Sequence, residues 1–374
     1  MINTLAIKMF FVMAQNFDQS RIKTETLQVK AKHIYMADFD SEDEILSYHA
    51  YDPMTPSSMT KIMTALMAFK ALQDKIVRHE TTTVVDRYAF KTEGSTMFLN
   101  LNQTVRLIDL LRGLICVSGN DAARAIAIML SGSEQAFAEK MTSFAHKIGA
   151  TNTVFTNASG LPDESHHTTA YDLFKISHYL IKHFPMEYRF FGERSFCFNG
   201  ISQPNKNWLL QSPSYDGVKT GHTESGGFGM VASYIDPLTK RRLILVVNGL
   251  NSEKERTEET RRLMDWGLRN TKNIYFFKEG ETIRNIPVRF GHKTSVDLIT
   301  NAPVCVTVPM DEKTSPSYEI ILNRSYIKGP IPKGTIVGKI TVTTKFGCKT
   351  YPLKTKDPIL KGSLFRIIID SLKF

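Results

Sequence analysis

No run of this chain approaches the roughly 18 consecutive apolar residues that a transmembrane helix requires, so no membrane span is expected. Cysteine is scarce. The four are Cys116, Cys197, Cys305 and Cys348, and none forms a CxxC pair, which leaves zinc-ribbon and thioredoxin-like chemistry unsupported. A Cys305–Cys348 bridge stays open for an oxidising compartment; free buried thiols are the plainer expectation. The adjacent His166 and His167 have no partner at metal-ligand spacing, so they read as loop residues, and neither a metal nor a cofactor is expected. Internal repeats and low-complexity tracts are missing. Acid is rare towards the end: Ile320 to Phe374 holds eleven Lys/Arg against two Asp/Glu, so +9 of the formal net charge of +10 lies there. No nucleic-acid-binding motif accompanies that charge, and a basic surface lying on anionic lipid is the expectation. A solvated basic face is the alternative.

What is present reads as an ordered series of elements. At the start, Leu5–Ala14 is mostly apolar, and Val12-Met13-Ala14 would suit a cleavage site, so residues 1–14 are expected to form an atypical export signal in which the positive charge, Lys8, lies late. His33–Phe39 and Glu44–His49 alternate as two strands around the turn Asp40–Asp43. Ile62, Ala65, Leu66, Phe69 and Leu72 then recur at helical spacing and predict one apolar helix face. Helices follow over Asp109–Ile115, Asp121–Leu130 and Glu134–Ile148. Strands are expected over Asp216–His222, Phe228–Tyr234 and Arg242–Gly249, then a long helix over Glu253–Arg269. Beyond it, short strand-like runs separated by turn residues predict a small all-β unit. Lys361–Phe374 has the pattern of an amphipathic helix. The expected division is 15–273, 274–358 and 359–374.

Three motifs carry the chemistry: Ser58-Met59-Thr60-Lys61, Ser118-Gly119-Asn120 and Lys219-Thr220-Gly221, with starts 60 and 101 residues apart. Each alone is common. In this order they match the SxxK, SDN and KTG trio of serine β-lactamases and penicillin-binding proteins. Ser58 near a helix start meets free backbone N–H groups, and Lys61 follows one turn later on the same face. A serine hydroxyl needs a neighbouring base, and a lysine serves only when burial or a like charge disfavours its ammonium form. Lys219 is a candidate for that charge. Ser118 is suited to relay a proton. Asn120 can accept from a lysine and donate to a substrate carbonyl. A KTG strand edge lets a substrate lie alongside as an added strand, with Lys219 and Thr220 placed for a terminal carboxylate. The backbone N–H groups of Ser58 and His222 are the expected oxyanion hole.

The segments around these motifs resemble the D-alanyl-D-alanine carboxypeptidases of the low-molecular-mass penicillin-binding proteins, the S11 peptidases. Pro56–Thr64 looks like the family's PASLTK segment, Ser118-Gly119-Asn120-Asp121-Ala122 has its SGNDA form, Asn157–Leu161 resembles its N-x-x-GL loop, and Asp216–Thr223 is nearly its DGxKTGHT box. The resemblance implies an α/β (α+β) transpeptidase-like fold, an antiparallel sheet flanked by helices, followed by a small all-β domain and a C-terminal amphipathic helix. It implies Ser58 as acyl-ester nucleophile, Lys61 as general base, Ser118 and Asn120 as proton-relay partners, and Lys219 as the carboxylate residue, with Thr220, Gly221 and His222 in the substrate-binding edge. The implied substrates are peptidoglycan stem peptides ending in D-Ala-D-Ala, with β-lactams as covalent inhibitors. The implied location is the periplasm, on the outer face of the cytoplasmic membrane. Rival readings are a D,D-endopeptidase, a serine β-lactamase, for which Glu164 lacks the E-x-x-x-N context, and a non-catalytic penicillin-recognition module.

Overall fold

The structure is a computed structural model that describes residues 27–372; the expected export segment, Lys373 and Phe374 lie outside them. Its central sheet is antiparallel, five strands in the order Glu44–Tyr48, His33–Asp38, Arg242–Leu250, Gly227–Ile235 and Tyr215–Thr223. Both faces are covered, so alternate residues of one strand enter different cores. From Arg242–Leu250, Ile244 and Val246 join the helical side, while Leu243, Leu245 and Val247 meet Leu263 and Met264 of the helix Glu253–Asn270 on the other. Tyr215–Thr223 has a neighbour on one side only. Its other edge is open, and the Ser58, Ser118 and Lys219 motifs gather there.

The helical side contains Lys61–Gln73, Leu107–Cys116, Asn120–Ser131, Glu134–Lys147 and Ala170–His183. Lys61–Gln73 is not the one-faced helix that its pattern predicts. It is the hub of the cluster, with Ile62, Met63, Ala65, Leu66, Ala68 and Phe69 all fully buried around its circumference. A helix buried all round shows no strong apolar stripe. The sequence reading places no helix at Ala170–His183, although Thr169 caps it by accepting from the Asp172 N–H. Its buried set includes Asp172, Ser177 and His178, which interrupts the apolar periodicity.

The strand Thr271–Phe277 pairs with Val304–Pro309. Beyond it lies a six-stranded sheet around Ile286, Val288, Val296, Leu298, Ile340, Val342 and Leu353. The turn between the first two strands of the chain docks on this unit through polar contacts. Asp43 accepts from the Thr307 N–H at 2.8 Å and lies 3.3 Å from Lys349, Ser41 and Thr307 share a hydroxyl bond of 2.7 Å, and Tyr275 donates to Asp40 at 2.7 Å. All four cysteines are free: Cys305 is buried in its strand and Cys348 is exposed, so the Cys305–Cys348 bridge is not formed.

The C-terminal helix spans Leu364–Ser371. It rests on the β unit by its polar side. Asp370 is buried and accepts from the Phe290 N–H at 2.7 Å and from Arg366 at 3.0 Å, and Arg366 also donates to the Val288 carbonyl at 3.2 Å. Leu364, Phe365, Ile368 and Leu372 are left 58–79% exposed. The helix thus docks and still turns its apolar surface outward.

Candidate active site

Ser58 lies in a short 3-10 turn, Ser57–Thr60, that runs directly into the helix beginning at Lys61. The preceding Ser57 has φ +50°, a left-handed conformation that is costly for a residue with a side chain. Two neighbours hold the turn. Ser57 shares a hydroxyl bond of 2.9 Å with Thr223, and Thr60 bonds His166 at 2.8 Å. His166 lies in a loop, as the sequence reading expects, but it is a buried framework residue of that loop. Its Nδ1 accepts from the Thr156 N–H at 3.1 Å, so Nε2 carries the hydrogen and donates to Thr60. Burial holds this imidazole neutral by lowering its pKa to about 4.

Lys61 is fully buried, and its Nζ lies 3.0 Å from Ser58 Oγ, 2.7 Å from Asn120 Oδ1 and 2.6 Å from the Ser159 carbonyl. The Asn120 amide nitrogen donates to the Glu93 carbonyl at 2.7 Å, which fixes Oδ1 as the atom facing the lysine. Two of the three partners are then acceptors only. A neutral amine gives its two hydrogens to them and turns its lone pair to the Ser58 hydroxyl. Burial is the main force lowering the Lys61 pKa, which falls to about 7; Lys206 adds to it, and Asp121 and Glu134 oppose it.

Lys206 adds to the like charge that the sequence reading gives to Lys219, and Lys61 and Lys219 repel each other as well. Lys219 is itself fully enclosed on the edge strand, and burial pushes its pKa well below the ordinary lysine value, with Lys61, Lys206 and Arg256 pushing the same way. Lys219 Nζ donates to the Thr220 carbonyl at 3.1 Å. Arg256, from the helix Glu253–Asn270, is buried and donates to the Lys206 carbonyl at 3.3 Å and to Glu253 at 2.9 Å. Lys206 in turn bonds the Ser95 hydroxyl. These two cations come from segments with no local motif, and the sequence reading misses them.

Ser118 sits at the joint between Leu107–Cys116 and Asn120–Ser131, buried and with φ +64°. The segment opposite is laced to this joint. Asn120 N–H donates to the Ser95 carbonyl at 2.7 Å, and the Asp121 carboxylate accepts from Met97 and Leu99 N–H. Asn120 thus spends one amide hydrogen on Glu93, leaving the other for a substrate. Gly221 backs onto the turn that carries Ser58: a Cβ there would lie 3.0 Å from the Pro56 carbonyl and 3.2 Å from Ser57 Cβ. Thr220 is buried, and the His222 ring is exposed and stacks on Phe228 with centroids 3.9 Å apart. The structure thus brings Lys61 into direct contact with both Ser58 and Asn120 and sets the Gly221 end of the KTG strand against the same turn.

Sheet, helical cluster and motif order together define a serine enzyme of the penicillin-binding-protein class. Residues 19–252 match the family model of D-alanyl-D-alanine carboxypeptidase, peptidase S11, and residues 272–359 match that of the penicillin-binding protein 5 C-terminal domain. The chain belongs to the S11 family of D-alanyl-D-alanine carboxypeptidases. It is similar to D-alanyl-D-alanine carboxypeptidase DacA of Escherichia coli K12, 32% identical with 99% of this chain and 94% of that one covered. It is likewise 32% identical to DacA of Haemophilus influenzae, over 84% and 81%. Among solved structures, penicillin binding protein 5 of Haemophilus influenzae superposes with a TM-score of 0.79 at 31% identity, covering 89% of this chain and 98% of that one. Penicillin-binding protein D2 of Listeria monocytogenes, solved in its cefotaxime-bound form, gives 0.60 at 25% identity, over 65% and 98%.

Gly160 tests how the Ser58 turn is held. It has φ +81°, and a Cβ on it would stand 1.8 Å from the Ser57 carbonyl oxygen. Gly160→Ala should therefore cost at least about 2 kcal/mol, read as a lower denaturant midpoint at unchanged slope. An unchanged midpoint would show that the turn is not held against this loop.

Proposed function

We propose that this chain removes the terminal D-alanine from peptidoglycan stem pentapeptides through an acyl-enzyme on Ser58. The observation that carries the assignment is the Lys61 amine, buried, 3.0 Å from Ser58 Oγ and otherwise bonded to acceptors. In this reading Lys61 takes the Ser58 proton as Oγ attacks the carbonyl carbon between the two D-alanines. Backbone N–H groups of Ser58 and His222 receive the developing oxyanion. The C–N bond then breaks, Ser118 passes the proton from Lys61 to the leaving D-alanine amine, and an ester on Ser58 remains. Water hydrolyses it and restores the serine. The substrate lies along the open edge of Tyr215–Thr223 beside Thr220 and Gly221. Its terminal carboxylate meets Lys219, with the fixed charge of Arg256 nearby. Asn120 offers its second amide hydrogen to the substrate. β-Lactams enter as covalent inhibitors at the same serine. A D,D-endopeptidase would use the same site on cross-linked peptide.

The proposed division is a catalytic domain over 15–273, a β-rich domain over 274–358 and an anchor over 359–374. Residues 1–14 act as an export signal. The enzyme works in the periplasm, peripheral on the outer face of the cytoplasmic membrane. Support for the anchor comes from the outward apolar side of Leu364–Ser371. Eight residues are too few to cross a bilayer, so the helix lies in the interface with that side buried. Lysines and arginines around it add attraction to anionic lipid, and the attraction weakens with salt.

Three outcomes follow from this reading. A β-lactam should label the chain at Ser58, with labelling abolished by Ser58→Ala and largely retained in Ser57→Ala; a mapped adduct on another serine removes the assignment. For D-alanine release, kcat/KM should climb with pH through about 7 and level off above it, because Lys61 acts only after losing its proton. A climb centred near the ordinary lysine value of 10.5 would contradict a buried base. Deleting Leu360–Phe374 should leave turnover of a soluble pentapeptide nearly intact and release the protein from anionic vesicles; a truncated chain that still co-sediments with them excludes the anchor.

A further inference from the structure

Behind the Ser159 carbonyl that receives Lys61 stands a buried carboxylate. Glu134 opens the helix Glu134–Lys147 and is 8% exposed. Its Oε1 accepts from the Ala158 N–H at 2.9 Å and its Oε2 from the Tyr88 phenol at 2.6 Å. Arg124 lies 3.4 Å from Oε2 as an ion pair outside hydrogen-bond alignment, with its guanidinium over the Tyr88 ring at 4.1 Å. Its Nη1 donates to the Thr92 hydroxyl at 3.1 Å. The carboxylate is therefore held from two sides before it meets the loop.

The loop is held in turn. Ala158 is gripped at both ends of its backbone, the N–H by Glu134 and the carbonyl by the Thr64 hydroxyl at 2.6 Å. The next carbonyl, that of Ser159, is the one to which Lys61 donates. Capping of the helix does not require Glu134, since Ser133 already accepts from the Ala136 N–H. Titratable groups face Lys61 from every side. Lys206 and Lys219 face it from beside and along the edge strand, Asp121 from the helix Asn120–Ser131, His166 from the loop, and Glu134 from its own helix. Only Asp121 and Glu134 among them are acids.

We propose that Glu134 is a positioning residue for the reaction: by fixing the Ala158–Ser159 backbone it aims Lys61 Nζ at Ser58, and its negative charge acts on that same amine. The inference rests on the assignment of Ser58 and Lys61 as nucleophile and base. Glu134→Gln keeps an acceptor for Ala158 and removes the charge. Glu134→Ala removes both, and Thr64→Val frees the other end of Ala158.

The experiment follows D-alanine release from a D-Ala-D-Ala pentapeptide against pH for the full chain and these variants, with thermal unfolding recorded for each. In Glu134→Gln the plateau kcat should stay within about twofold of the parent, while the acid limb moves to lower pH by about half a unit, because a charge favouring the protonated amine is gone. In Glu134→Ala the plateau kcat should fall about 10- to 100-fold with KM little changed, as a misaimed base costs rate more than binding. Thr64→Val should fall in the same direction. An acid limb unmoved in Glu134→Gln, or a folded Glu134→Ala protein with the parent plateau, overturns the proposal. If Glu134→Ala does not fold, the Glu134→Gln limb decides alone. A β-lactam adduct mapped on the parent separates the two levels: an adduct away from Ser58 refutes the underlying assignment, whereas a Ser58 adduct with unmoved kinetics refutes only the role of Glu134.

Discussion

A lysine amine sealed from water, with an acceptor on each of two sides and a serine hydroxyl on the third, constrains everything around it. Taking an ammonium out of water is costly, and the amine answers by giving up its proton. The surrounding architecture serves to keep Lys61 enclosed and its three neighbours fixed. The hub helix that begins with it is packed on all sides, so its first residue cannot swing out. The strand carrying Lys219 closes one flank, the Asn157–Leu161 loop another, and the Ser118–Asp121 joint the third. Each flank comes from a different part of the chain: the loop and the strand approach the Ser58 turn closely enough to exclude a Cβ at Gly160 and to crowd one at Gly221, and the joint meets Lys61 through Asn120 Oδ1.

Charge is handled in a graded way. Lys61 and Lys219 are both enclosed, and both are pushed towards neutrality. Arg256 cannot shed its proton at working pH, so it is the fixed positive charge beside them. A buried site with one permanent cation and two adjustable amines suits a substrate that arrives with a carboxylate and leaves as a zwitterionic amino acid. Asp121 and Glu134 temper the fall of the Lys61 pKa, which leaves the amine able both to take a proton from serine and to give it up again.

Much of this was legible in the sequence, and the reasons are local. Ser58 and Lys61 share one turn of chain, Ser118 to Asn120 another, and Lys219 to His222 a single strand, so their spacing carries their geometry. The strands His33–Asp38 and Arg242–Leu250 announce themselves by β-rich composition, and Glu253–Asn270 by its charge pairs. What stayed hidden depends on tertiary approach. Lys206, Arg256 and Glu134 lie in unremarkable stretches and matter only because folding brings them beside the lysines. His166 looks like one of two loop histidines until its ring is seen between Thr156 and Thr60. The last helix shows the same limit in another form. Its amphipathic pattern is plain, but it takes the contacts of Asp370 with Phe290 N–H and of Arg366 with the Val288 carbonyl to reveal that the polar side faces the protein.

The most direct test of this account is the protonation of Lys61 itself. In protein labelled at lysine Cε with 13C, with the Lys61 resonance assigned by its loss in Lys61→Met, the chemical shift can be followed from about pH 5 to about pH 9. A midpoint near 7 is the predicted result. A resonance that keeps its ammonium position until the range of exposed lysines would contradict the claim that burial makes this residue a base.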